Sequence, residues 1–169
     1  MQDQELFAFQ DELRAKLLET AAQRLALAKT LDQIIEIVRG IARGVTLADG
    51  VTFVLGDGDR CHYVEEDAIR PLWKGQKFPM TSCISGWAMM NNQTAVIPDV
   101  FADPRIPHDL YRKTFVKSLV MAPVGWDMPV AAIGVYWRDK SAISGPEVAI
   151  VEKIAAMVGS AMRRTRQAA

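Results

Sequence analysis

Two cysteines and two histidines hold most of the reactive chemistry available to this 169-residue chain. Cys61 stands directly before His62, and a thiol beside an imidazole can be held as a reactive thiolate. The surrounding residues read as a strand, however, and strand neighbours point to opposite faces. Cys61 is therefore expected to be an ordinary buried or half-buried thiol. Cys61 and Cys83 do not make a disulfide framework, and no Cys or His pair has metal-ligand spacing, so no metal site is expected. Aromatic residues are the other candidates. A long segment from Asp67 to Ser82 is broken by Pro71, Gly75 and Pro79, and such segments inside compact domains usually serve binding. Rings near fixed backbone can wall a cavity, with Trp, Tyr and His tips orienting a small, largely apolar ligand. A pocket is expected there, lined by Trp73, Cys83, Trp87, Phe101, His108 and Tyr111. Asp99 reads as a turn cap, and Arg105 and Lys117 as solvated surface.

The elements that would position these groups are legible from pattern. Gln4 to about Lys29 lacks Gly and Pro and is rich in strong helix formers. Leu6, Phe9, Leu13, Leu17, Ala21 and Leu25 draw one apolar stripe, with Phe7, Leu18 and Leu27 off it. Thr30-Leu31-Asp32-Gln33 matches a capping box opening a second helix; whether the chain bends at Thr30 is left open. Val51 to Leu55 and Arg60 to Glu65 read as strands joined by the Gly56-Asp57-Gly58-Asp59 turn. Ser82 is expected to cap a short helix through Trp87 and Met90. Ala95 to Ile97 reads as a strand, His108 to Lys113 as a helical turn, and Val116 to Val124 and Val130 to Trp137 as two more strands. Ser144-Gly145-Pro146-Glu147 opens a closing helix with two apolar stripes. One is Val148, Val151, Ala155, Val158 and Met162; the other is Ile150, Ile154, Met157 and Ala161, expected to face a partner. Hairpin-linked strands with helices gathered on one face place the chain in the α+β class.

Bulk composition narrows the function classes. Twenty basic residues balance twenty acidic ones, so no field of one sign is available for nucleic acid. Arg163-Arg164-Thr165-Arg166 reads as a complement to a helix dipole. No window is apolar enough for a membrane span, and the Gln-, Asp- and Glu-rich start is no signal peptide, so a cytoplasmic location is expected.

This order of elements resembles the GAF domain. Ala48 to Leu55 looks like the entry into the first strand of bacterial GAF domains. Leu72 to Pro79, Cys83-Ile84-Ser85-Gly86-Trp87 and Ile97 to Pro107 are similar to the subgroup that precedes sensor histidine kinases. Phe115 to Pro123 and Ala132 to Trp137 complete the match, which runs from about Thr30 to Met162. The resemblance implies a six-stranded antiparallel sheet with the N- and C-terminal helices on one face and a ligand pocket on the other. It divides the chain into a signalling helix, 1–29, and the domain proper, 30–169. It also implies a homodimer through the N- and C-terminal helices, an unidentified small-molecule ligand, and an output domain or kinase. The expected function is a sensory or regulatory module of a two-component system, without catalysis and with no cofactor named. Two alternatives share the fold. Bilin-binding relatives attach the chromophore to a cysteine before a histidine, where this sequence has Pro107 before His108. Free methionine sulfoxide reductases need a cysteine between the positions of Asp99 and Lys117, where none occurs, leaving only the place of Cys83 in favour.

Overall fold

In the computed structural model, residues 1–139 and 142–168 are described. The first helix, α1 (Gln2–Leu27), ends where Ala28 turns to ψ 137°. The chain bends at this point. Thr30 caps α2 (Leu31–Thr46) by accepting the Gln33 N–H on its hydroxyl at 3.2 Å. The Gln33 side chain accepts from the Lys29 N–H at 2.7 Å, one residue before the cap itself. Arg14, midway along α1, donates to the Val45 carbonyl late in α2 at 2.8 Å, so the two helices form an antiparallel hairpin.

Six strands form one antiparallel sheet in the order β3-β2-β1-β6-β5-β4. They are β1 (Gly50–Asp57), β2 (Arg60–Ala68), β3 (Lys77–Pro79), β4 (Ala95–Ile97), β5 (Ser118–Val124) and β6 (Ala131–Trp137). The Gly- and Pro-broken segment from Asp67 to Ser82 contains β3, which sets Phe78 opposite Cys61 and Lys77 opposite His62. Three residues ending in Pro carry no alternation to read, and an edge is where a strand tolerates Pro. The short helix α3 (Ile84–Asn91) starts one residue later than expected: Cys83, not Ser82, is its N-cap, and it makes no side-chain cap bond. One turn of helix, α4 (His108–Tyr111), precedes β5. The closing helix α5 (Gly145–Gln167) has both halves of its capping box, Ser144 N–H to Glu147 at 2.7 Å and Glu147 N–H to the Ser144 hydroxyl at 3.4 Å.

The sheet separates two apolar cores. On one face Phe53, Val120, Ile133 and Val135 meet Ala21 and Leu25 of α1, Ile34, Val38 and Ile41 of α2, and Val151, Ala155 and Val158 of α5. Ile154 and Ala161, expected to face a partner, are buried in this same core, with Ile150 and Met157 half-buried against it. The second stripe of α5 is thus largely consumed within the chain. Arg164 donates to the Leu25 and Ala28 carbonyls at 2.6 and 2.8 Å, so it complements the C-terminus of α1. The other face carries Cys61, Tyr63, Leu119, Met121 and Tyr136 under α3 and α4. Alternation along β1 sends Phe53 and Val54 to opposite cores. The register shift opposite them leaves Val64 of β2 as the extra residue, packed with the long helices while Cys61 and Tyr63 keep to the other face. β6 is buried along its whole length, as a strand covered on both faces must be.

Candidate functional site

The face away from the long helices is built around aromatic rings, and a carboxylate holds the loop that delivers the central one. Glu66, near the end of β2, accepts the backbone N–H groups of Leu72, Trp73 and Lys74 at 2.8, 2.9 and 2.7 Å. Backbone bonds from Gly75 to the Tyr63 carbonyl at 2.7 Å and from Tyr63 to the Gln76 carbonyl at 3.0 Å close the loop over β2. Trp73 is thereby set into the interior. Its ring lies 4.8 Å from that of Tyr111 and 5.7 Å from those of Tyr63 and Tyr136. The Tyr136 hydroxyl shares a hydrogen bond with Thr52 at 2.8 Å. Residue 134 must be glycine for this, because a Cβ there would come within 2.3 Å of that hydroxyl. Burial pushes the phenols of Tyr63, Tyr111 and Tyr136 above their ordinary pKa.

Beside this cluster the two thiols meet. Cys61, with no exposed surface, and Cys83, 6% exposed, lie within hydrogen-bonding reach of each other. The Ser85 hydroxyl is 3.3 Å from the Cys83 sulfur and 3.0 Å from the Tyr63 hydroxyl. The Cys83 thiol also reaches the Pro79 carbonyl at 3.5 Å. The hydrogen bond from Cys61, together with that from Ser85 and a smaller pull from the Gly86 N–H, holds Cys83 below the usual thiol range. Donating that bond, and being buried, holds Cys61 above it. The arrangement favours one thiolate at Cys83 and one thiol at Cys61.

A second cluster lies nearer the surface. Arg105 grips Asp103 with two bonds, 3.0 and 2.8 Å, and stacks over the Trp87 ring at 4.3 Å. That grip holds the Asp103 carboxyl below the ordinary range. A His108 ring nitrogen is 2.9 Å from the Asp103 carbonyl, and the ring lies edge-on to Phe101 at 5.8 Å. Lys117 sits over Phe101 at 5.4 Å. Asp99 caps the following turn by accepting the Phe101 N–H at 3.0 Å.

The six expected pocket residues therefore fall into two groups. Trp73, Tyr111 and Cys83 are buried among packed rings and thiols; Trp87 and His108 are half-buried and Phe101 exposed in the outer cluster. A groove of about 890 Å³ lies elsewhere, between the α1–α2 junction, the β5–β6 turn and the end of α5, and none of the six lines it. Sequence reasoning did not single out Tyr63, Glu66, Ser85 or Tyr136, nor the meeting of Cys61 with Cys83. Cys61 and Tyr63 stand two apart in a strand, so a shared face was readable; the other contacts join distant segments. Among the described residues, no group of three His, Cys, Asp or Glu side chains could hold a metal ion, and no helix is long and apolar enough to cross a membrane.

With this geometry in view, the comparisons are specific about fold. The family profile described as GAF domain matches residues 30–162. No curated protein matches the sequence. Among solved structures, the chain is similar to free methionine-R-sulfoxide reductase from Neisseria meningitidis in complex with its substrate (TM-score 0.80, 16% identity, covering 94% of this chain and 93% of that one). It is similar to the GAF domain of an Acinetobacter phosphoenolpyruvate-protein phosphotransferase (TM-score 0.77, 11% identity, 92% and 96% covered). It also resembles the chromophore-binding domain of the R. palustris bacteriophytochrome RpBphP3 (TM-score 0.73, 16% identity, 90% and 61% covered). At these identities the likeness speaks of fold alone.

Proposed function

Since the chain belongs to the GAF domain family, with residues 30–162 matching its profile, we propose that it is a sensory module of a bacterial two-component-type protein that relays a signal through a helical homodimer. The outer half of α1 carries this reading. Leu6, Phe9 and Leu13 are 57, 63 and 49% exposed, an apolar stripe on a helix whose inner half is anchored in the core, and Phe7 beside it is 66% exposed. Such a stripe asks for a partner, and symmetric pairing of like surfaces is the commonest solution. Arg164 ties α5 to the end of α1, so a shift in one helix is felt by the other. In this reading the module works in the cytoplasm, performs no catalysis, and passes its signal to an output domain or kinase. A small molecule would lodge among Trp73, Cys83, Trp87, Phe101, His108 and Tyr111. Because the Trp73 and Tyr111 rings touch, its entry would part them and displace α4. Sedimentation tests the relay: the wild type should associate at micromolar concentration, and a Leu6→Gln, Phe9→Gln, Leu13→Gln variant should sediment as a monomer. A monomeric wild type would sink the proposal.

One observation favours a second reading, a sulfoxide reductase of the GAF fold: the contact between Cys61 and Cys83. Steady turnover of free methionine sulfoxide with a dithiol reductant, lost in Cys83→Ser, would move the chain into that class.

A further inference from the structure

We propose that Cys83 and Cys61 form a redox couple that a hydroperoxide oxidises to an intramolecular disulfide. The inference goes beyond the relay reading and does not depend on whether the helices pair. Four features converge. Both cysteines are buried in one cluster beside the Ser85 hydroxyl, and the titration of each thiol is governed by a hydrogen bond to the other. Cys83 occupies the N-cap of α3, where free N–H groups favour an anion, and it offers the helix no neutral side-chain cap instead. Ser85 donates to the same sulfur at 3.3 Å, and the Tyr63 hydroxyl supports Ser85 at 3.0 Å. The packing also assigns the order of events, because Cys83 retains 6% of its surface while Cys61 has none.

The chemistry balances in two steps. The Cys83 thiolate attacks the outer oxygen of the hydroperoxide, the O–O bond breaks, and the departing oxygen takes from water the proton that the thiol gave up on ionising, leaving as an alcohol or water. Cys83 is thereby oxidised to a sulfenic acid and the peroxide is reduced by the same electron pair. The Cys61 sulfur then attacks the Cys83 sulfur, the S–O bond breaks, and hydroxide leaves with the Cys61 proton as water. Two thiols and one hydroperoxide have become a disulfide, an alcohol and water. Forming a bond of about 2 Å draws the start of α3 toward β2. α3 is packed against the turn at Met80–Ser82, where Gly86 meets the Met80 backbone, so the movement reaches the aromatic face. A dithiol reductant reverses it.

Hydrogen peroxide added to the reduced full chain is the probe, with alkylation under denaturing conditions and mass spectrometry as the readout. The wild type should lose both thiols together with two hydrogens, and its peptide map should contain the Cys61–Cys83 linked pair. Cys61→Ala should stop with one oxygen gained at Cys83, trapped by a cyclic diketone. Cys83→Ser should react roughly tenfold more slowly or less, as expected once the thiolate-forming position is gone. A wild type that gains oxygens without a linked peptide, or that reacts no faster than Cys83→Ser, overturns the proposal. The wild-type peptide map needs no variant to fold, and circular dichroism checks those that are used. Sedimentation of the same samples reads association separately, so failure of the relay is distinguishable from failure of the couple.

Discussion

A Cβ on Gly86 would stand 1.8 Å from the Met80 carbonyl oxygen, which is backbone and cannot rotate away. Gly86→Ala should therefore cost more than about 3 kcal/mol, as overpacking against fixed atoms does at its upper end. Gly40, exposed in α2 with nothing within 4 Å of where a methyl would stand, should behave oppositely: Gly40→Ala should gain about 0.5–1 kcal/mol of helix preference. Urea denaturation of both variants checks the pair, and equal effects would refute the packing argument. Such contrasts mark how far single residues can be read from sequence. Two glycines in helical segments look alike until the chain beside each is known. Asp99 as a cap and Thr30 with Gln33 were legible because their partners stand within three residues. The meeting of Cys61 with Cys83, and of Glu66 with the amides of Leu72 to Lys74, was not, because folding rather than local pattern brings them together.

At the scale of elements, α1 is two things joined end to end. Its inner half is part of the core, with Ala21 and Leu25 buried and Ala28 following them, while its outer half exposes Leu6, Phe7, Phe9 and Leu13. The regular stripe from Leu6 to Leu25 conceals this division, since periodicity reports a sticky face and not which part of it the same chain covers. A boundary at residue 29 therefore does not separate what packs from what projects. Removing residues 2–13 should weaken self-association and leave the thermal melt within about 0.5 kcal/mol, because only exposed side chains go. Leu25→Ala should do the reverse, costing about 2–5 kcal/mol as a buried leucine truncation. Sedimentation and denaturation on the two variants test the division. α5 teaches the complementary lesson: its second apolar stripe read as a partner surface, yet Ile154 and Ala161 are spent inside.

For the whole molecule, the tyrosines make a prediction about alkali. The sequence has three, Tyr63, Tyr111 and Tyr136, and all lie in the core under α3 and α4. Burial raises each phenol's folded-state pKa above the unfolded value of about 10. Below that pH both states keep the protons and nothing is lost. As pH rises through it, the unfolded chain releases protons the folded one retains, so stability falls by about 1.4 kcal/mol per pH unit for each tyrosine. Three together give about 4 kcal/mol per unit. The phenolate absorbance band should consequently appear only as the far-ultraviolet dichroism collapses. Phenolate forming in a chain still folded would contradict this. The antiparallel α+β architecture was legible from hairpin turns and caps, whereas the ring contacts that set this alkaline limit were not.

The strand order has a consequence for how the chain is made. Strands β1, β2 and β3 are neighbours in sequence and can pair as soon as they emerge, but β1 takes β6 as its other neighbour, with Gly50 opposite Tyr136. Contacts of such long sequence separation form late, because the intervening loop must first be closed. During synthesis the inner faces of α1 and α2 would therefore wait for β6 and α5 before their shared core could be completed. A nascent chain arrested before residue 131 should remain open to protease within α1 and α2, and release of the complete chain should close them.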